Sequence, residues 1–77
     1  MKISVSKTFS INLRVRMAEL NISATELSKK TNVSRNTINS CRSGKAKMIK
    51  FSTIAELCNG LCVQPTYFFK ETDQHAN

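Results

Sequence analysis

At 77 residues the chain is one domain, and no stretch approaches the roughly 18 apolar residues of a membrane span. Its composition, 40% hydrophobic and 22% charged, is that of a globular chain, and two glycines with one proline permit long helices but few hairpins. Twelve Lys and Arg against five Asp and Glu leave a net charge of +7, which points to an anionic partner.

In chain order, Phe9, Leu13, Met17 and Leu20 recur at helical spacing and predict a first helix over 8–20, capped by Thr8. Asn21 ends it, because asparagine tolerates the left-handed backbone that closes helices. Ser23-Ala24-Thr25-Glu26 reads as a capping box for a second helix over about 24–31, with Leu27 inward and Ile22 as a hydrophobic staple. Thr31-Asn32-Val33-Ser34 is then a turn. Asn32 is expected at positive φ, Val33 is expected to be buried, and Ser34 is another N-cap.

A third helix follows over about 35–42, with Ile38 and Cys41 inward and Gly44 as C-cap. Its outer side carries Arg35, Asn36, Asn39, Ser40 and Ser43. Stability does not call for so many polar residues of low helix propensity, so that side has another use. After a basic loop over 45–50, Ser52 is expected to cap a fourth helix over 53–61. Pro65 fits the first position of a short fifth helix carrying Tyr67, Phe68 and Phe69. The ends, outside about 9–69, read as frayed, and no repeat or second domain is visible within 1–77.

The distribution of charge is sharper than its sum. Between Leu27 and Ala55 there is no acid, while Lys29, Lys30, Arg35, Arg42, Lys45, Lys47 and Lys50 all lie there. Such a one-signed block repels itself unless it meets a polyanion. The cations straddle several short elements, which fits a membrane-surface helix poorly. Cys41, Cys58 and Cys62 are read as small core hydrophobes of a reducing, cytoplasmic compartment. Cys58 and Cys62 share a helical face, but the single histidine, His75, lies in the polar tail and no four-ligand metal set is present. With no carboxylate pair and no glycine-rich phosphate loop, the chain is not expected to be an enzyme or to hold a cofactor, metal or small-molecule substrate.

The second helix, the short turn and the third helix make a helix-turn-helix, which lays its second helix in the major groove of DNA. Leu27, Val33 and Ile38 are the small core that would fix the pair, and the Ser34 end of the third helix presents free amides to phosphate.

The ordered series Leu13-Arg14, Ile22-Ser23, Glu26-Leu27-Ser28, Asn32-Val33-Ser34-Arg35, Thr37-Ile38 and Gly44-Lys45 resembles the phage repressor and Cro family. Ile54-Ala55-Glu56-Leu57-Cys58 and Val63-Gln64-Pro65 continue the likeness, which covers about residues 9–69. It implies a compact all-α, five-helix, lambda-repressor-like fold and a transcriptional regulator that binds double-stranded operator DNA as a homodimer on a two-fold site. The family's base-reading positions fall on Arg35, Asn36 and Ser40, with Asn39 at the margin. Arginine suits guanine and asparagine suits adenine, each pairing through two hydrogen bonds. Arg35 also faces the helix dipole unfavourably unless an anionic or guanine partner is present. Backbone contacts are implied for Ser23 and Thr25 at the second helix, and for Ser34, Ser43, Lys45, Lys47 and Lys50.

Two departures from the family stand out. Many members pair a glutamate at the place of Arg42 with an arginine at the place of Met17. Here both are replaced together, so Arg42 is expected to add a phosphate contact and Met17 to pack apolarly. Ala24 stands where many relatives have a glutamine that reaches phosphate. The competing reading is an antitoxin or protein-interaction adaptor using the same fold, which Tyr67-Phe68-Phe69 could serve. The favoured role of that trio is core closure and dimer contact, with the dimer surface including the fifth helix, Val63 to Phe69.

Overall fold

The computed structural model describes residues 5–46 and 48–70. Within them the chain folds as five α-helices: α1 Val5–Leu20, α2 Ala24–Lys30, α3 Arg35–Ser43, α4 Phe51–Leu61 and α5 Pro65–Phe69. The expected polar tail 71–77, with His75, lies outside the described residues, as does Lys47.

One core joins all five. Phe9, Leu13 and Met17 form the buried stripe of α1, and Leu27, Val33, Ile38, Leu57, Leu61 and Phe68 close on it. Met17 is buried, as a methionine free of any charged partner should be. The Phe9 and Phe68 rings meet at 4.8 Å between centroids, tilted by 45°, a favoured arrangement for aromatic pairs. This contact seats α5 on α1.

Three helix ends match their signals in detail. Asn21 takes φ 52°, and the Asn21 and Ile22 amides donate to Ala18 O and Met17 O at 3.0 Å, which closes α1. Gly44 takes φ 78° at the end of α3. Pro65 sits in the first turn of α5, where its missing N–H costs nothing.

Other ends differ from expectation. Helix α1 begins at Val5, so Thr8 lies inside it and caps nothing; neither glycine nor proline precedes Thr8 to stop the helix. Helix α4 begins at Phe51 with Lys50 as N-cap, and Ser52 is inside the first turn. The Ile54 amide already donates to Lys50 O at 3.1 Å, which closes that turn before Ser52 could cap it. Cys62 is not a core residue. It is exposed, at φ 59°, and ends α4 as its left-handed cap. Cys58 and Cys62 therefore share no helical face.

Polar side chains complete the frame. Asn12, buried within α1, donates through Nδ2 to Phe68 O at 2.7 Å and Lys70 O at 2.9 Å, so it ties α1 to the end of α5. Arg16 donates through Nε to Leu61 O at 3.0 Å, satisfying a terminal carbonyl of α4, and pairs with Glu19 at 3.1 Å.

Candidate nucleic-acid interface

The geometry starts with the two caps. Ser23 Oγ accepts from the Glu26 amide at 3.1 Å, and Glu26 Oε1 accepts from the Ser23 amide at 2.9 Å, completing the capping box of α2. The Ser23 amide, then the Ser23 hydroxyl, hold the Glu26 carboxyl below the usual range. Lys29 and Lys30 add to this and desolvation opposes it. At α3, Ser34 Oγ accepts from the Thr37 amide at 3.1 Å and donates to Thr37 Oγ1 at 2.9 Å.

The turn between them is not made as expected. Positive φ is found at Asn21, Gly44 and Cys62, and Asn32 is not among them. Thr31 does the work instead. Its backbone is extended, at φ −128° and ψ 177°, and its hydroxyl donates to Leu27 O at 2.9 Å while accepting from the Val33 amide at 3.2 Å. A side chain that bonds local backbone in this way replaces a left-handed residue. The Asn32 amide donates to Glu56 Oε1 at 3.4 Å, from α4. Val33 is buried and anchors the turn in the core.

Held by these contacts, α3 buries Ile38 and Cys41 and exposes Arg35, Asn36, Asn39, Ser40 and Ser43 on its other side. Burial in the core pushes the Cys41 thiol up. Arg35 Nη1 donates to Thr25 Oγ1 at 3.4 Å, a long contact that joins the start of α3 to the first turn of α2. No described residue pairs with the Asn36 carboxamide. A cleft of about 450 Å³ runs beside this face, lined by Asn36, Thr37, Ser40, Met48, Lys50 and Thr53 among others. Ser23, Thr25, Ser34, Lys45 and Lys50 are all exposed, and Arg42 is half-buried.

Residues 12–70 match the family model of the Cro/C1-type HTH DNA-binding domain. The chain belongs to that family. Over 55 residues this Cro/C1-type domain is 36% identical to an uncharacterized HTH-type transcriptional regulator, YozG, of Bacillus subtilis (strain 168). The match covers 71% of the chain but 66% of that relative, just under two thirds of its length. No solved structure matches the chain.

Around α3 the Cro/C1-type domain gathers more than its sequence motifs indicate. Arg14, on α1, lines a cleft with Asn39, Arg42 and Ser43. In the sequence it enters only through the Leu13-Arg14 piece of the family likeness, with no site role attached. Ser43 Oγ donates to Ser40 O at 3.0 Å and accepts from the Lys45 amide at 3.4 Å, so its hydroxyl proton is engaged within the protein. Met48, 91% exposed, stands at the rim of the cleft beside α3. Of the aromatic trio, Phe68 is fully buried, Tyr67 is half-buried with Lys70 Nζ 4.8 Å above its ring, and Phe69 is exposed. Among the described residues no three His, Cys, Asp or Glu come together as a metal site, and no helix is long and apolar enough to cross a membrane.

Proposed function

We propose that the chain is a sequence-specific transcriptional regulator of the repressor or Cro kind, which lays α3 in the major groove of a double-stranded operator. The observation that carries this reading is the two-sided character of α3: Ile38 and Cys41 in the core, Arg35, Asn36, Asn39 and Ser40 facing solvent. A helix held this way offers hydrogen-bonding groups to base edges at no cost to its own packing. Arg35, Asn36 and Ser40, with Asn39 beside them, read bases. Ser23, Thr25, Ser34, Arg42, Lys45, Lys47 and Lys50 hold the phosphate backbone, which fixes register without carrying sequence information. Ser43, whose hydroxyl proton goes to Ser40 O, stands beside them without donating. The regulator name of the Bacillus subtilis relative supports the same reading.

The protein acts as a cytoplasmic homodimer and uses no cofactor and no chemistry of its own. Self-association draws on the surface around α5, Val63 to Phe69, where Phe69 is exposed. Selecting bound duplexes from a random pool tests this. The expected product is a two-fold symmetric site with half-sites one turn apart, about 34–36 Å. A pool that shows no enrichment, from protein that is folded, rejects operator recognition and favours the adaptor reading.

A further inference from the structure

The C-terminal half of α3 faces α1 across an open cleft of about 330 Å³, lined by Arg14, Asn39, Arg42 and Ser43. Two guanidinium groups share it, and no carboxylate is in its walls. The described carboxylates are engaged elsewhere: Glu19 with Arg16, Glu26 with the Ser23 amide, and Glu56 with the Asn32 amide. Arg14 is exposed and pairs with no described residue. Arg42 Nη1 donates to Asn39 Oδ1 at 3.4 Å, while its Nε is buried without a hydrogen-bond partner. Like charges in one concavity repel, and a buried donor left unpaired is costly. An anion seated between the two arginines relieves the repulsion, and a guanidinium fork matches the geometry of a phosphate.

We propose that Arg14 and Arg42 together grip one backbone phosphate of duplex DNA at the C-terminal end of α3. This rests on the reading of the chain as a duplex-binding protein. Asn39 orients the Arg42 fork through its Oδ1. Ser43, whose proton goes to Ser40 O, shapes the cleft without donating to the phosphate. The guanidinium groups are therefore the donors, and a grip of this kind is blind to base sequence.

The test measures affinity for unrelated duplexes across a salt series with the wild type, Arg14→Gln, Arg42→Gln and the double variant. Melting curves report that each is folded. Each single variant should bind every duplex roughly 5- to 10-fold more weakly. The slope of log affinity against log salt should shrink by about 0.9 in the double variant, the value for one phosphate. Arg14→Lys should recover part of the affinity. Unchanged affinity in Arg14→Gln overturns the proposal. So does a slope loss of about 1.8 in the double variant, which means two separate phosphates. Because Arg14 is exposed, its variant carries the test even if Arg42→Gln fails to fold. Failure of the wild type to bind any duplex instead rejects the broader reading.

Discussion

A Cβ on Gly60 would stand 2.5 Å from the Cγ2 methyl of Thr31 and 3.0 Å from Leu27 Cδ1. Glycine is therefore what lets α4 approach the end of α2. The Thr31 methyl has little freedom to withdraw, because its hydroxyl is bonded to both Leu27 O and the Val33 amide. The packing of α4 and the shape of the turn before α3 are thus one arrangement.

Gly60→Ala should destabilise the protein by about 1–3 kcal/mol through overpacking, even though alanine favours a helix interior by about 1 kcal/mol. The urea midpoint should fall with the slope unchanged. Adding Thr31→Ala removes the offending methyl but also the turn hydroxyl. Thr31→Ser keeps the hydroxyl, so Gly60→Ala with Thr31→Ser should recover more stability than Gly60→Ala with Thr31→Ala. Equal recovery would mean that the hydroxyl does not hold the turn.

Asn12 gives a second stability prediction. Its amide supplies hydrogens to two carbonyls at the end of α5, and Phe68 itself is fully buried. Asn12→Ala strands both acceptors and should cost about 1–3 kcal/mol, or roughly 4–8 °C of melting temperature per kcal/mol for a domain of this size. Asn12→Asp should cost more, since an ionised carboxylate can only accept and would face two carbonyls. A loss below a few tenths of a kcal/mol would show that α5 is held by its aromatic contacts alone.

The Asn12 contact also marks a limit of what the sequence carries. The Ser23–Glu26 capping box, the Ser34 cap, Asn21, Gly44 and Pro65 are legible because each acts within four residues of itself. So is the apolar stripe Phe9-Leu13-Met17. Asn12 lies on the buried side as a polar residue whose partners are 56 and 58 positions away, and no local pattern points to them. The turn fails in a similar way. Asn32 has the residue type for a left-handed backbone, yet the Thr31 hydroxyl and the distant Glu56 remove the need for one. The outer side of α3 was legible from Ile38 and Cys41, whereas Arg14 joins it only when α1 is packed against α3.

Cysteine chemistry separates the three thiols. Burial pushes the Cys41 and Cys58 thiols up, and Cys62 is exposed. A disulfide-exchange reagent at neutral pH should label Cys62 in the native protein and reach Cys41 and Cys58 only as it unfolds. Cys62 also holds φ 59°, a conformation that disfavours any residue with a Cβ by about 1–2 kcal/mol. Cys62→Gly should therefore raise stability by up to about 1 kcal/mol, after the extra entropy of glycine in the unfolded chain is subtracted. A drop in melting temperature would show that the Cys62 side chain contributes more than its backbone costs.

The capping box sets a pH dependence. The Glu26 carboxyl is held below its ordinary value of 4.5, chiefly by the Ser23 amide, so the folded state favours the charged form. The stability gained is present above that ordinary value and is lost as pH falls through the lowered one. Glu26→Gln should be less stable than the wild type at neutral pH, with the difference closing as pH falls below 4.5. The effect is small because the group is fully exposed. A gap that widens in acid would contradict the assignment.

Arg35 and Lys50 should fail differently on DNA. Arg35 opens α3 and reaches Thr25 by a contact of 3.4 Å; on the proposed reading the rest of its fork meets a guanine edge. Arg35→Ala should then relax preference at one base pair of each half-site by about 1–3 kcal/mol, with a lesser effect on unrelated sequences. Lys50 is an exposed N-cap residue with no side-chain cap bond, at the edge of the cleft beside α3. Lys50→Ala should weaken all duplexes alike and reduce the salt slope by about 0.9. Titrating both variants against a selected site and its single-base changes separates the two roles. If Arg35→Ala lowers every affinity by one common factor, the guanidinium contacts phosphate, and base reading falls to Asn36 and Ser40.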